Sequence, residues 1–221
     1  MNTHERWLVL GKTHTGKSTF AKREVEQLVR DHRVVAIDVT DEWSQKGRVR
    51  DGVDLGPLKD RMTVAELGRR PDVLLKPKLS LAIVPDQQTS VSAARAFELT
   101  VRLLKLCPLP VVLVLDEAHV WAKHVDALYC DAATIGRHWG GGVALISCSQ
   151  RAVRVPLTVR SQSSRIVTFR QDEPPDVDGL ALKTGRPFAE AAARLPAHEF
   201  LEWTDSAAPT TTAAPPAAPG A

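Results

Sequence analysis

Aromatic residues make up only 5% of this 221-residue chain, with one tyrosine among them, Tyr129. Any core must therefore be mainly aliphatic, and an apolar fraction of 43% is enough to build one. Cysteine is scarce as well. Cys107, Cys130 and Cys148 are odd in number, far apart and without CxxC spacing, which argues against a disulfide framework or a zinc site and suggests reduced, partly buried thiols. No apolar run approaches the ~20 residues that span a bilayer, so a soluble, cytoplasmic protein without a membrane segment of its own is expected. Neither sign of charge dominates: 29 basic against 26 acidic residues leave a net charge of +3. That small excess permits a polyanionic partner without demonstrating one. There is no internal repeat.

What the chain does have is an alternation of short apolar runs with helical patterns. Trp7-Leu8-Val9-Leu10 is a continuous apolar run ending at glycine, as in a buried strand. Thr19 to Arg30 lacks Gly and Pro and carries helical spacing, and Val34-Val35-Ala36-Ile37 reads as the next strand, closed by Asp38. Residues 44 to 78 are mixed and irregular, with one short helix predicted near Val64. Leu79 to Val84 reads as a strand, and Val91 to Leu104 as a helix that stops before Cys107-Pro108, because proline disfavours helical geometry in the residue before it. Val111 to Leu115 is the most hydrophobic strand candidate. A single helix is expected from about Trp121 to His138, then a triple-glycine turn and a strand from Val143 to Cys148. Arg165 to Phe169 and Glu199 to Trp203 read as strands, and Pro187 to Leu195 as a helix. From Ser206 the residues are almost all Ala, Pro, Thr and Gly, so one domain over 1–204 and a disordered tail over 205–221 are expected.

The run Gly11-Lys12-Thr13-His14-Thr15-Gly16-Lys17-Ser18, between a predicted strand and a predicted helix, satisfies G-x-x-x-x-G-K-[ST], the phosphate-binding loop. The glycines let the backbone wrap around phosphates with its N–H groups turned inward, and the helix that follows adds the positive end of its dipole. Residues 11 to 19, ending at Thr19, are the nucleotide-binding candidates. Lys17 reaches the β and γ phosphates of ATP, and the Ser18 hydroxyl serves Mg²⁺. Val111 to Leu115 followed by Asp116-Glu117 has the form of a Walker B strand: Asp116 holds the magnesium sphere, and Glu117 is available as a general base toward the attacking water. Gln150, after the strand ending at Cys148, is the candidate sensor of the γ-phosphate. Multimeric ATPases often supply an arginine from a neighbouring subunit, and Arg137 is the first candidate, with Arg151 second.

These motifs resemble the HerA/FtsK superfamily of ring-forming DNA-pumping ATPases, most closely the small packaging ATPases of double-stranded DNA viruses. The resemblance runs from about residue 6 to 203. It rests on both Walker motifs, on Ile37-Asp38-Val39-Thr40-Asp41-Glu42-Trp43, on Ser149-Gln150-Arg151, and on Arg165 to Arg170 leading into Asp176-Val177-Asp178-Gly179-Leu180. It implies an α/β fold of the RecA-like (ASCE) P-loop type, a mainly parallel sheet flanked by helices, with Gln150 as sensor and Arg137 as a finger acting in trans. It also implies ATP hydrolysis, double-stranded DNA as partner, a hexameric or pentameric ring, and docking on a capsid portal or vertex protein. One departure is Ala152, where this group commonly has a proline after the Gln-Arg pair. The chain shows none of the β-barrel, membrane or winged-helix modules of the larger translocases, which favours the minimal packaging type.

Other readings are weaker. Asp116-Glu117-Ala118-His119 spells the motif of DEAH-box helicases, but those enzymes need two motor domains. His119 and His124, five residues apart, do not share a helix face as metal ligands would. A small-molecule kinase has a similar length but usually shows arginine-bearing lids rather than the Glu117 and Gln150 pair, and a nucleotide-dependent switch module is a third class. The arginines at 151, 154, 160, 165 and 170, and the basic residues between 46 and 61, could face DNA phosphates in a channel or simply water.

Overall fold

The computed structural model describes residues 1–45, 56–205 and 207–213. The first apolar run is β1 (Arg6–Leu10), and the phosphate loop leads from it into α1 (Lys17–Asp31). β2 (Val34–Ile37) is buried at every residue, as a strand covered on both faces must be. β3 (Asp60–Thr63) follows, then α2 (Val64–Arg69), where Thr63 and Glu66 form a capping box. β4 (Ser80–Val84) leads into α3 (Ser90–Leu104), whose N-cap Thr89 accepts from Ser92 N. β5 (Val111–Leu115) is followed by α4 (Ala118–Trp121), α5 (Asp126–Thr134) and β6 (Val143–Ser149). The chain closes with α6 (Leu157–Gln162), β7 (Arg165–Thr168), α7 (Pro174–Thr184), α8 (Arg186–Ala193), β8 (Glu199–Thr204) and β9 (Ala207–Ala213).

Among the described residues nine strands form one sheet in the order β3-β4-β2-β5-β6-β1-β7-β8-β9. β1 to β7 pair in parallel, and β8 and β9 add an antiparallel edge. Side chains alternate between two cores, one on each face. Leu8, Leu10, Val35, Ile37, Leu113, Leu115 and Leu145 point into the larger core with α3 to α8; Val9, Val34, Ala36, Val112, Val114, Ile146 and Cys148 point into the smaller one with α1. Because the central strands run parallel, their carboxyl ends collect at one edge, the place where open α/β sheets bind ligands.

Three expectations are corrected. The helix expected from Trp121 to His138 is broken into α4, α5 and two 3-10 turns, Ala122–His124 and Gly136–His138. Its breaks let Trp121 and Tyr129 both pack on Phe97, with ring centroids 5.0 and 6.1 Å away. The tail expected from residue 205 is not without structure over Ala207–Ala213, whose backbone pairs with β8, with Thr211 opposite Leu201. Consecutive β-branched threonines suit such an edge strand although they supply no apolar face. Finally, β3 lies in the stretch read as irregular apart from one helix. All four of its residues are half-buried and only Met62 is apolar, so it carries no strand pattern. The short helix near Val64 is present as α2.

Candidate functional site

The phosphate loop leaves the carboxyl end of β1, tied by Gly11 N donating to Ser149 O on β6 at 3.1 Å. Two glycines are required by geometry. A Cβ on Gly11 would stand 2.6 Å from Thr15 Oγ1 and 2.9 Å from Phe169 Cβ; Gly16, the N-cap of α1, has φ 99°, a left-handed conformation costing other residues roughly 1–2 kcal/mol. Gly16 offers α1 no capping side chain, so its first-turn N–H groups face the loop's mouth and suit an anion. Lys17 is buried, whereas Thr13, His14, Ser18 and Thr19 are exposed at the mouth, and Lys12 pairs with Asp172 and Glu173 beyond β7.

β5 delivers Asp116 and Glu117 to the same edge. Lys17 Nζ lies 2.7 Å from Glu117 Oε1, joining the two motifs. Glu117 has φ 43°, a left-handed conformation rare outside glycine and typical of functional sites. Its second oxygen, Oε2, is buried and accepts no hydrogen bond among the described residues. Asp116 is buried, and its Oδ2 accepts from Thr40 Oγ1 at 3.1 Å. Thr40 is presented by a loop that Asp38 shapes, accepting from Glu42 N and Trp43 N at 3.0 and 2.9 Å.

The electrostatics follow from this crowding. Burial pushes the Asp38 carboxyl up to about 7, with Asp116 adding to it, and burial raises Asp116 against the pull of Lys17. Burial opposes the charge on Lys17, but the acidic groups around it, Cys148, Asp116 and Glu117, outweigh burial and raise its pKa. Burial holds the Cys148 thiol up at about 12, so near neutral pH the carboxylates carry that effect. His119 is depressed to about 4, first by burial and then by Lys17 and Arg154, and is neutral at pH 7.

Gln150 stands at the end of β6, half-buried. Its backbone N–H lies 3.4 Å from His119 Nδ1, and its carbonyl accepts from Gln171 Nε2 at 3.1 Å. The same His119 Nδ1 is 3.1 Å from Glu117 Oε2. One imidazole nitrogen therefore stands between the proposed base and the proposed sensor, and in the neutral tautomer that accepts from Gln150 it leaves Glu117 Oε2 without a hydrogen bond. Neither His119 nor Gln171 was assigned a role from the sequence; the DEAH spelling was the available hint for the first.

The two arginine candidates separate. Arg151 is engaged within its own chain, its Nε 2.6 Å from the fully buried Asp176 and its Nη2 2.7 Å from Glu173. Arg137 is exposed, with Nε donating to His138 Nε2 at 3.0 Å. Its turn packs beside Arg6 at the amino end of β1, on the order of 16 Å from Gly11 at ~3.3 Å per strand residue. Arg137 thus stands at the sheet edge opposite its own phosphate loop.

The arginine set considered for DNA also divides. Arg160 is buried against the carbonyls of Val155 and Gly179, and Arg165 is bound by Glu24 and Glu202. Arg154 and Arg170 are exposed, the latter paired with Asp172. Of the basic residues between 46 and 61, Arg61 grips Asp41 through both Nε and Nη2, Lys59 is exposed, and those at 46–55 lie outside the described residues.

For magnesium, the oxygen donors of Ser18 and Asp116 fit a hard cation. Among the described residues no cluster of three or more His, Cys, Asp or Glu forms a protein-only metal cage. Magnesium in nucleotide sites is usually held by one or two protein oxygens, phosphates and water, so this sparse set suits it.

No protein-family model and no curated protein matches the sequence. Solved structures do. The chain is similar to the genome packaging NTPase B204 from Sulfolobus turreted icosahedral virus 2 in complex with ATP-γS, at TM-score 0.68 and 19% identity over 96% of this chain and 97% of that one. It is similar to the monomer form of TcpA, the pCW3 conjugation coupling protein, with ATPγS, at TM-score 0.58 and 13% identity, covering 97% of this chain and 61% of TcpA. ATPases 2 and 3 of EssC from Geobacillus thermodenitrificans match at TM-score 0.53 and 12% identity, over 94% of this chain and 39% of that one. The likeness shows the fold: an α/β P-loop NTPase sheet, as the sequence resemblance implied.

Proposed function

We propose that this chain is a magnesium-dependent ATPase that translocates double-stranded DNA as a homo-oligomeric ring, hexameric or pentameric, of the kind that packages a viral genome. The observation that carries the ATPase reading is the meeting of Lys17, at the start of α1, with Glu117, after β5, beside the strand β6 that ends at Gln150. ATP bound along residues 11 to 19 would draw Lys17 to its β and γ phosphates. Glu117, released from Lys17, is then free to take a proton from the attacking water, and Gln150, at the end of the neighbouring strand β6, is assigned to orient that water. Magnesium, held by Ser18 and by Asp116, neutralises charge on the phosphates when bound. Arg137, at the sheet edge away from its own loop, is assigned to the site of a neighbouring copy.

The DNA reading is supported by likeness to a genome packaging NTPase along nearly its whole length, and the packaging role would add a capsid portal or vertex protein as partner. Likeness to a conjugation coupling protein favours plasmid DNA transfer as the second reading. Among the described residues no helix is long and apolar enough to cross a membrane; the proposed motor is assigned to the cytoplasm or the virion. The test is the ATP hydrolysis rate with and without double-stranded DNA, across protein concentration. A motor ring accelerates with both, with stimulation declining as salt rises. A rate indifferent to both removes the motor reading, and a phosphorylated metabolite in place of free phosphate makes the chain a kinase.

A further inference from the structure

The phosphate loop has two sides, and the topology distinguishes them. Lys17 meets Glu117 on the side of β5 and β6, which marks where the terminal phosphates belong. A nucleotide whose phosphate tail points that way must carry its ribose and base toward the other neighbours of β1, which are β7 and then β8. β8 runs antiparallel to β7, so its beginning lies at the same sheet edge as the phosphate loop.

At that beginning stands His198. It is exposed, and its Nδ1 lies 3.6 Å from where a Cβ on Gly16 would be, so the imidazole leans on the phosphate loop itself. Its φ of 64° is left-handed, a conformation uncommon outside glycine that histidine enters more readily than most residues, and its surroundings hold it there. The surroundings are identifiable. Phe200, two residues on, packs against Phe20 of α1 and Phe169 after β7, with ring centroids 5.0 and 5.6 Å away, and Phe169 itself touches Gly11 and Gly16. This aromatic wedge locks the turn before β8 against the loop. Among the described residues nothing hydrogen-bonds to the His198 ring, so its face and both nitrogens are available to a ligand.

We infer that His198 is the base-contacting residue of the nucleotide site, its imidazole stacking on the purine of the bound nucleotide while the loop holds the phosphates. This rests on the ATPase reading and adds to it the source of selectivity for a nucleotide over a bare polyphosphate. Structural need alone does not account for histidine there, because glycine or asparagine would occupy φ 64° with less strain.

That tolerance supplies the test. His198→Gly keeps the turn and removes only the ring. Calorimetric titration of the full chain with ATP and with inorganic tripolyphosphate, both with magnesium, should show ATP binding weakened roughly tenfold in the variant, as loss of one base–aromatic stack predicts, with tripolyphosphate binding unchanged. His198→Asn, which keeps a hydrogen-bonding group but no aromatic face, should behave like the glycine variant. Unaltered ATP affinity in the glycine variant overturns the inference and leaves the ATPase reading standing, as does equal weakening of both ligands, which would place His198 on the phosphates. A native chain that binds neither ligand overturns the ATPase reading itself, and this inference with it.

Discussion

Lys17 Nζ stands 2.7 Å from Glu117 Oε1, and side-chain exposure is only 4% and 12% respectively. One ammonium cannot remain centred on this carboxylate and also serve the phosphates its loop is shaped to hold. Nucleotide entry should therefore exchange one partner for the other and free Glu117 for proton abstraction. Glu117→Gln preserves shape and removes the base. Nucleotide binding should persist, while hydrolysis falls roughly 10²-fold or more. Equilibrium binding of a fluorescent ATP analogue beside phosphate release measures both, and near-normal turnover would remove Glu117 as the base.

Arg137 and Lys17 belong to opposite edges of the sheet, so an arginine finger at 137 can serve only a neighbouring subunit. Neither Arg137→Ala nor Lys17→Ala should hydrolyse ATP alone. Mixed, they should regain a fraction of native activity, because some interfaces then pair an intact loop with an intact finger. Titrating one variant into the other while following phosphate release checks this. Absence of rescue at every ratio, or full activity in a monomer, counts against action in trans.

Much of this was legible in the sequence because the strands that position the site are continuous apolar runs ending in Gly, Asp or Ser. β1, β2, β5 and β6 announce themselves in that way, and with them the edge where Gly11, Asp38, Asp116 and Gln150 gather. Strands without an apolar run gave no such signal: β3 has polar neighbours around Met62, and the sequence of β9 is mostly Ala and Thr. Long-range pairings were equally silent. That Arg151 is held by Asp176, 25 residues away, or that His119 touches both Glu117 and Gln150, depends on how β6, α4 and α7 pack, which no local spacing encodes.

The Arg151–Asp176 contact predicts a structural effect where sequence reasoning considered a catalytic one. Asp176 is fully buried and accepts from Arg151 Nε at 2.6 Å and from Val153 N at 2.9 Å, so it fastens the loop after Gln150 onto α7. Asp176→Ala removes both acceptors and should lower unfolding stability by about 2 kcal/mol. Denaturant melts report this directly. Arg151→Ala should lose stability too, and its activity should not be restored by mixing with Lys17→Ala subunits; restoration would make Arg151 a finger after all.

His119 sets a pH dependence whose sign follows from its environment. Its pKa is about 4 in the folded chain against the ordinary imidazole value of 6.5, because burial and then Lys17 and Arg154 disfavour the imidazolium. Above 6.5 the ring is neutral whether folded or unfolded, and it contributes no penalty. Between 6.5 and about 4 the unfolded chain binds a proton that the folded chain refuses, so stability falls as pH falls across that window. His119→Gln removes the titrating group. The melting temperature of the native chain should therefore drop more steeply than that of the variant from pH 7 to pH 4, while both share the acid sensitivity of their carboxylates. Parallel curves would mean that His119 is as free to charge in the fold as in water, and would remove the neutral imidazole from its place between Glu117 and Gln150.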